Sequence, residues 1–168
     1  SSEVGLLPPS FLPIGNKRLF EYQFEFLRER YKDDEIYLSL PNSYNLNFFD
    51  ERRINNLDIN ILKVPSDISL GESILYSWNS TGKDFSNLTI LYGDTLFLES
   101  KFSGDDIISV HQNSGFYQRA FLENDVTNLS NMTDKRSSDI DKVISGFFNF
   151  SKPLLLMKHI VNSKNDFV

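Results

Sequence analysis

Leu88-Thr89-Ile90-Leu91-Tyr92-Gly93-Asp94 is the stretch on which the reading of the fold turns. From Leu88 to Tyr92 every residue but Thr89 is apolar or aromatic, and a glycine-aspartate pair closes the run. A short apolar run bounded by a turn signal reads as a strand, and its unbroken apolarity predicts cover on both faces. Strands of that kind belong to parallel sheets sandwiched between helices. In such open sheets ligands bind beyond the carboxyl ends of the strands. Asp94 stands at that position. A carboxylate fixed there could hold a divalent cation against phosphate oxygens. A plain strand-end turn accounts for Gly-Asp equally well.

Upstream, helices and short strands alternate. Ser69 to Asn79 reads as a helix with Leu70, Ile74, Leu75 and Trp78 on one side and Gly82 past its end. Ile59 to Val64 is a strand stopped by Pro65, and Ile36 to Leu40 one closed by Pro41-Asn42. A helix from Ser43 to Arg52 lies between them, weakened by Asn45 and Asn47. Lys17 to Tyr31 forms the first helix, capped by Asn16, with Leu19, Phe20, Gln23, Phe24 and Leu27 on one stripe. Ser1 to Gly15, with Pro8-Pro9 and Pro13, is a loop. Downstream, Ile107 to His111 and Gly115 to Leu122 pair through the turn-prone Gln112-Asn113-Ser114. Glu123 to Asp139 is a polar excursion, Val143 to Phe150 a strand, and Lys152 to Ile160 a helix with Pro153 in its first turn. The predicted fold class is α/β: a Rossmann-like, mixed but mainly parallel sheet with helices on both faces, in one domain over residues 1–168.

Composition narrows the function. Of 168 residues 40% are hydrophobic and 24% charged, a globular balance. The net charge of −6 is a poor match to nucleic acid. The chain has no cysteine, which excludes disulfides, thiol nucleophiles and cysteine-zinc sites. His111 and His159 are the only imidazoles and have no spacing that pairs them. No apolar run is long enough to span a bilayer, and the start lacks the pattern of a signal peptide, so cytoplasmic location and no membrane insertion are expected. Sequons at Asn79, Asn87, Asn128, Asn131 and Asn149 read as products of an Asn- and Ser-rich composition.

Two further segments share the strand-end position with Asp94. Pro65 to Gly71 follows a strand and opens a helix, so Gly71 would let a ligand approach the backbone. Helix capping by Ser69 explains the same residues. The loop from Gly5 to Gly15 could cradle phosphate through backbone N–H groups, or be a surface loop. Asp105-Asp106 offers either a metal site or a solvated turn. There is no P-loop lysine motif, nucleophile elbow or dinucleotide fingerprint.

In chain order these features resemble the sugar nucleotidyltransferases, the nucleoside-diphosphate-sugar pyrophosphorylases. Leu7-Pro8-Pro9-Ser10-Phe11-Leu12-Pro13-Ile14-Gly15-Asn16-Lys17-Arg18-Leu19-Phe20-Glu21-Tyr22-Gln23 is similar to their stretch L-P-K-S-L-L-P-V-x-x-K-P-L-I-E-Y. Leu70-Gly71-Glu72-Ser73-Ile74 resembles the segment near the nucleotide base, and Ile90 to Phe97 the strand whose aspartate helps bind the catalytic metal. Ile144-Ser145-Gly146-Phe147-Phe148-Asn149-Phe150 resembles the segment that closes over the sugar. The resemblance implies transfer of a nucleotidyl group from an NTP to a sugar phosphate or similar phosphorylated alcohol, with release of pyrophosphate. In bacteria such reactions often serve capsule or surface-polysaccharide synthesis. It implies Mg²⁺ on Asp94 next to Gly93, phosphates around Gly5, Leu7 and Pro8, the base by Gly71 and Glu72, and the sugar phosphate by Gly146. Lys17 is the candidate catalytic cation.

The sequence departs from the family pattern in two ways. Glu3 stands where a basic residue is expected, and Pro9 replaces the lysine after the first proline. Phosphoryl-type transfer depends on neutralising charge, so losing two cations and gaining a carboxylate should cost several kcal/mol of transition-state stabilisation. The family's central first strand also precedes the loop, which implies a longer polypeptide or another segment in its place, and a later metal-binding carboxylate falls beyond Val168. A non-catalytic domain that binds a nucleotide-sugar or a partner, and a glycosyltransferase of related fold, are the alternatives. The latter usually carries two aspartates one residue apart, which Gly93-Asp94-Thr95 lacks.

Overall fold

A computed structural model describes residues 7–97, 104–112, 121–122, 132–133 and 142–163. Two short strands, β1 (Pro13–Ile14) and β2 (Lys17–Arg18), form a hairpin ahead of helix α1 (Leu19–Arg30). Gly15 makes its turn at φ +62°, a left-handed conformation that favours glycine. The hairpin takes Lys17 and Arg18 out of the predicted helix. Strand β3 (Tyr37–Pro41), helix α2 (Phe48–Asn56) and strand β4 (Asn60–Val64) follow, and β3 and β4 pair in parallel. Helix α2 starts five residues later than its composition suggests. Asn47, which weakens a helix interior, is its N-cap: the side-chain oxygen accepts the Asp50 N–H at 2.9 Å.

Helix α3 (Leu70–Thr81) joins β4 to strand β5 (Leu88–Leu91). It is capped by Ser69 and closed by Gly82 at φ +64°. Beyond β5 the pattern changes. Strand β9 (Lys142–Phe150) is antiparallel to β5 and to β6 (Ile107–Gln112). It also pairs with β7 (Phe121–Leu122), which pairs in turn with β8 (Met132–Thr133). Helix α4 (Pro153–Asn162) packs Met157 and Ile160 on Trp78 of α3.

The parallel sheet is narrower than expected. Among the described residues only β3 and β4 run in parallel, and the larger sheet is antiparallel. The predicted hairpin between β6 and β7 does not form either. His111 and Phe121 are both opposite Val143, so β6 and β7 flank β9 on its two edges. Residues 115–120 of that expectation, and most of the polar excursion, lie outside the described residues. Strand β5 is half-buried along its length rather than sealed, because β9 covers one edge alone. The Asn149 sequon is closed to glycosylation by burial. Its amide donates to the Tyr31 hydroxyl at 3.0 Å and to Thr89 Oγ1 at 2.9 Å.

Two further apolar clusters lie among the described residues. Phe11, Phe20, Leu40 and Ile54 join α1, α2 and β3, and Ile144 with Phe148 joins β9 to β5 and β6. No helix among the described residues is long and apolar enough to cross a membrane.

Candidate functional site

The turn after β5 is held by residues remote in sequence. The Tyr92 N–H donates to the Gly146 carbonyl at 2.8 Å, and the Thr95 N–H closes the turn on Tyr92 O at 3.1 Å. From α1, the buried Gln23 amide donates to Tyr92 O at 2.9 Å and to Thr95 O at 2.6 Å. Thr95 Oγ1 lies 2.9 Å from Ser145 O and 3.1 Å from Asp94 Oδ1, and its single proton serves one of them at a time. The chain between these anchors is Gly93-Asp94, both exposed. The result is a carboxylate on a fixed backbone at the open end of the strand.

Gly146 makes this arrangement possible. Its φ is +89°, and a Cβ there would lie 2.7 Å from Tyr92 Cδ2 and 2.8 Å from Thr95 Oγ1. The sequence assigns Gly146 to the sugar-phosphate side; the structure packs it beneath the Asp94 turn. Gln23 is a residue that sequence reasoning missed as functional. The available signal was a polar side chain on the apolar stripe of α1, which needs a buried partner.

The Pro8–Leu12 segment meets this turn from the other side. A Cβ on Gly93 would sit 3.6 Å from Ser10 Cβ. Residues Pro9–Phe11 form a 3₁₀ turn anchored by the fully buried Phe11. The turn consumes its own donors: Phe11 N–H binds Pro8 O at 2.8 Å and Leu12 N–H binds Pro9 O at 3.1 Å. Pro8, Pro9 and Pro13 have no N–H at all. The described part of the predicted phosphate cradle therefore has few amides to offer an anion. Leu7 and Pro8 stand at its edge half-buried, while Gly5 and Glu3 lie outside the described residues.

The two nearby cations are engaged. Lys17 Nζ pairs with Glu25 at 2.5 Å, and that hydrogen bond, first among the causes, raises its pKa. Glu25 is two residues beyond Gln23, so it projects about 200° round the helix from the side that touches Tyr92 and Thr95. The structure thus draws the Lys17 ammonium toward the opposite face from Asp94. Arg18 forms a fork on the buried Asp50, with Nε at 2.9 Å from Oδ1 and a terminal nitrogen at 3.2 Å from Oδ2, and it also donates to Phe11 O. It fastens the start of α1 to α2 rather than facing the groove. Burial, then the Asp50 charge, raises the pKa of Tyr44, whose ring packs on Phe11.

A groove of about 690 Å³ runs from this lip between α1 and α3. Ser10 and Gly93 line one end, and Leu70 and Ser73 line its α3 wall. Gly71 is buried beside them, and the Glu72 carboxylate accepts the Ser69 N–H at 2.7 Å in a capping box. Asp106 likewise holds its own corner, accepting Ser151 N–H at 2.8 Å and Ser151 Oγ–H at 2.7 Å. Among the described residues no three His, Cys, Asp or Glu side chains are grouped so as to hold a metal ion. Asp94 thus supplies one carboxylate. That suits Mg²⁺, which takes one or two carboxylates and fills its shell with water and substrate phosphates.

The chain has a mixed α/β fold shared with solved structures at low sequence identity. The chain matches the crystal structure of a nucleoside-diphosphate-sugar pyrophosphorylase from Vibrio cholerae RC9 with a TM-score of 0.71 at 15% identity, over 95% of this chain and 71% of that one. It matches HddC from Yersinia pseudotuberculosis with a TM-score of 0.61 at 18% identity, over 90% of this chain and 70% of the other. A structure of HddC complexed with GMP-PN matches with a TM-score of 0.59 at 21% identity. No protein-family model and no curated protein matches the sequence.

Proposed function

We propose that this chain is a nucleotidyltransferase-like domain that activates a sugar phosphate, or a similar phosphorylated alcohol, with an NTP and releases pyrophosphate. The observation that carries the reading is the Asp94 carboxylate on a turn pinned by Gln23, Thr95 and Gly146, at the open end of β5 and against Ser10. Asp94 would hold Mg²⁺, which when bound neutralises phosphate charge. The chain's own part is alignment. Gly93 brings the backbone close to Ser10, and Leu7 and Pro8 offer an apolar edge. The sugar phosphate would attack the α-phosphorus in line, without a protein nucleophile. The HddC complex with GMP-PN shows that one protein of similar fold takes a nucleotide analogue. A role in bacterial capsule or surface-polysaccharide synthesis, in the cytoplasm, is the finer form of this reading. Its support is the sequence resemblance and the sources of the compared proteins.

A second reading, nucleotide or nucleotide-sugar binding without transfer, is favoured by a specific observation. Lys17 and Arg18 are paired with Glu25 and Asp50, and the Pro8–Pro13 segment has spent or lacks most of its N–H donors. A pyrophosphate-release screen of the four NTPs against a panel of sugar phosphates, with Mg²⁺, separates the two. Turnover abolished by Asp94→Ala supports transfer. Nucleotide binding by calorimetry without any pyrophosphate supports the second reading, and full rate in Asp94→Ala removes the metal assignment.

A further inference from the structure

Strand β9 does not run straight past its neighbours. Thr89 of β5 and Ile107 of β6 both stand opposite Asn149, so these two strands lie on the two edges of β9. On the β6 side the register holds from Ile107 to Ile108 and again from Val110 to Gln112, and it shifts between them. Ile108 pairs with Phe148, and Val110 pairs with Ile144. Ser109 alone therefore stands opposite Ser145, Gly146 and Phe147. A bulge of this kind interrupts the ladder and takes backbone groups away from their usual partners. It is also where β9 adopts a positive φ, +89° at Gly146.

The Ser109 side chain stands in for the interrupted ladder. It is buried, and its oxygen accepts the Phe147 N–H at 3.0 Å and the Ser145 hydroxyl at 2.9 Å. Its own proton goes to Phe147 O at 3.3 Å. A hydroxyl has one proton to give and two lone pairs to offer, so the whole capacity of Ser109 is spent on the bulge. Its neighbours Ile108 and Val110 pack on the apolar cluster of Ile144 and Phe148. A buried polar residue between them is explained by the partners it satisfies.

The other edge of the same bulge carries the Asp94 turn. Gly146 O accepts the Tyr92 N–H at 2.8 Å, and Ser145 O lies 2.9 Å from Thr95 Oγ1. Phe147 adds a third hold, because its ring meets Phe97, two residues past Thr95, edge-on at 5.8 Å. Ser109 bonds the residues on either side of Gly146, and these three residues grip the turn. We infer that Ser109 is a positioning residue of the Asp94 site: acting through the β9 bulge, it sets where the carboxylate stands. Its part in turnover rests on the nucleotidyl transfer proposed above, whereas its mechanical coupling to the turn does not. Ser109→Ala removes the acceptor of the Phe147 N–H and of the Ser145 hydroxyl, so the bulge must rearrange to satisfy them.

The test follows amide hydrogen exchange of Tyr92 and Thr95 by NMR, each measured against Leu40 in the buried part of β3, which reports opening of the whole fold. Ser109→Ala should speed both turn amides about tenfold relative to Leu40. Ser109→Thr keeps the hydroxyl and should hold them within about twofold of wild type. Ile160→Val, a core loss in α4, should move all three amides together. In pyrophosphate release, Ser109→Ala should cut kcat/KM about tenfold and raise the Mg²⁺ concentration for half-maximal rate, and Ser109→Thr should restore both. Should Ser109→Ala not fold, Ser109→Cys, a weaker acceptor at the same place, is read in the same way. Equal exchange behaviour of the Ser109 variant and Ile160→Val overturns the inference. So does a loosened turn with unchanged kcat/KM in an active enzyme. A wild type that releases no pyrophosphate sinks the reaction alone, and exchange then decides whether Ser109 holds the turn.

Discussion

Gly71-Glu72 and Gly93-Asp94 look alike in sequence: each is a glycine followed by an acid, the first opening helix α3 after β4 and the second just past β5. Their surroundings separate them. The Ser69–Glu72 turn satisfies itself, with Ser69 N–H on the Glu72 carboxylate and Glu72 N–H on Ser69 Oγ, all within one helical turn. The Gly93-Asp94 turn is held instead by Gln23 from α1 and by Ser145 and Gly146 from β9. A local motif needs only its own residues to form. A turn fixed by two distant segments has its carboxylate placed by the fold, and that kind of placement is what catalysis by positioning requires.

The sharpest way to break this comparison is to neutralise each acid. Asp94→Asn should lower the pyrophosphate-release rate by about 10²–10³, with a thermal midpoint close to wild type. Glu72→Gln keeps an acceptor for the cap and should leave the rate within about twofold. Equal losses at both positions would erase the distinction. Next in size is Gly146→Ala. The added Cβ collides with Tyr92 and Thr95 at a positive φ, and it should destabilise the fold by about 2–4 kcal/mol in urea titration. A neutral result would show that the Asp94 turn does not rest on β9.

Gln23→Leu strips the donor from Tyr92 O and Thr95 O inside the protein and should cost about 1–3 kcal/mol. It should also raise KM for the nucleotide, a readout that a purely structural glutamine would not move. Ser69→Ala removes a cap and should cost about 1 kcal/mol with unchanged nucleotide affinity. The smallest effect concerns a third turn acid. Asp106 has its pKa lowered, first by the Ser151 N–H and then by the Ser151 hydroxyl. Its contribution is therefore complete above the ordinary carboxylate pKa and fades as pH falls through the lowered folded value. Asp106→Asn should flatten the acid limb of a stability-against-pH curve and leave the neutral region unchanged in shape.

Much of the fold was legible in the residues. Strand β5, its Gly93-Asp94 ending, helix α3 with its Ser69 cap and Gly82 stop, and Pro153 at the start of α4 all depend on neighbours a few places away. Local steric and hydrogen-bonding rules decide such features, so the chain states them directly. The first half also showed its helix–strand alternation, although Asn47 looked like an interruption and acts as a cap.

What only the tertiary structure decided is which of these pieces meet. The pairing of β9 with both β5 and β6, the reach of Gln23 to Thr95, and the diversion of Lys17 to Glu25 and Arg18 to Asp50 join residues up to 72 places apart. Such contacts are chosen by shape and by the demand that buried polar groups find partners, and periodicity along the chain carries no record of them. The sequence by itself therefore determined that a carboxylate ends a strand. The packing of α1, β9 and the Pro8–Leu12 turn around it decided that this carboxylate is held in place.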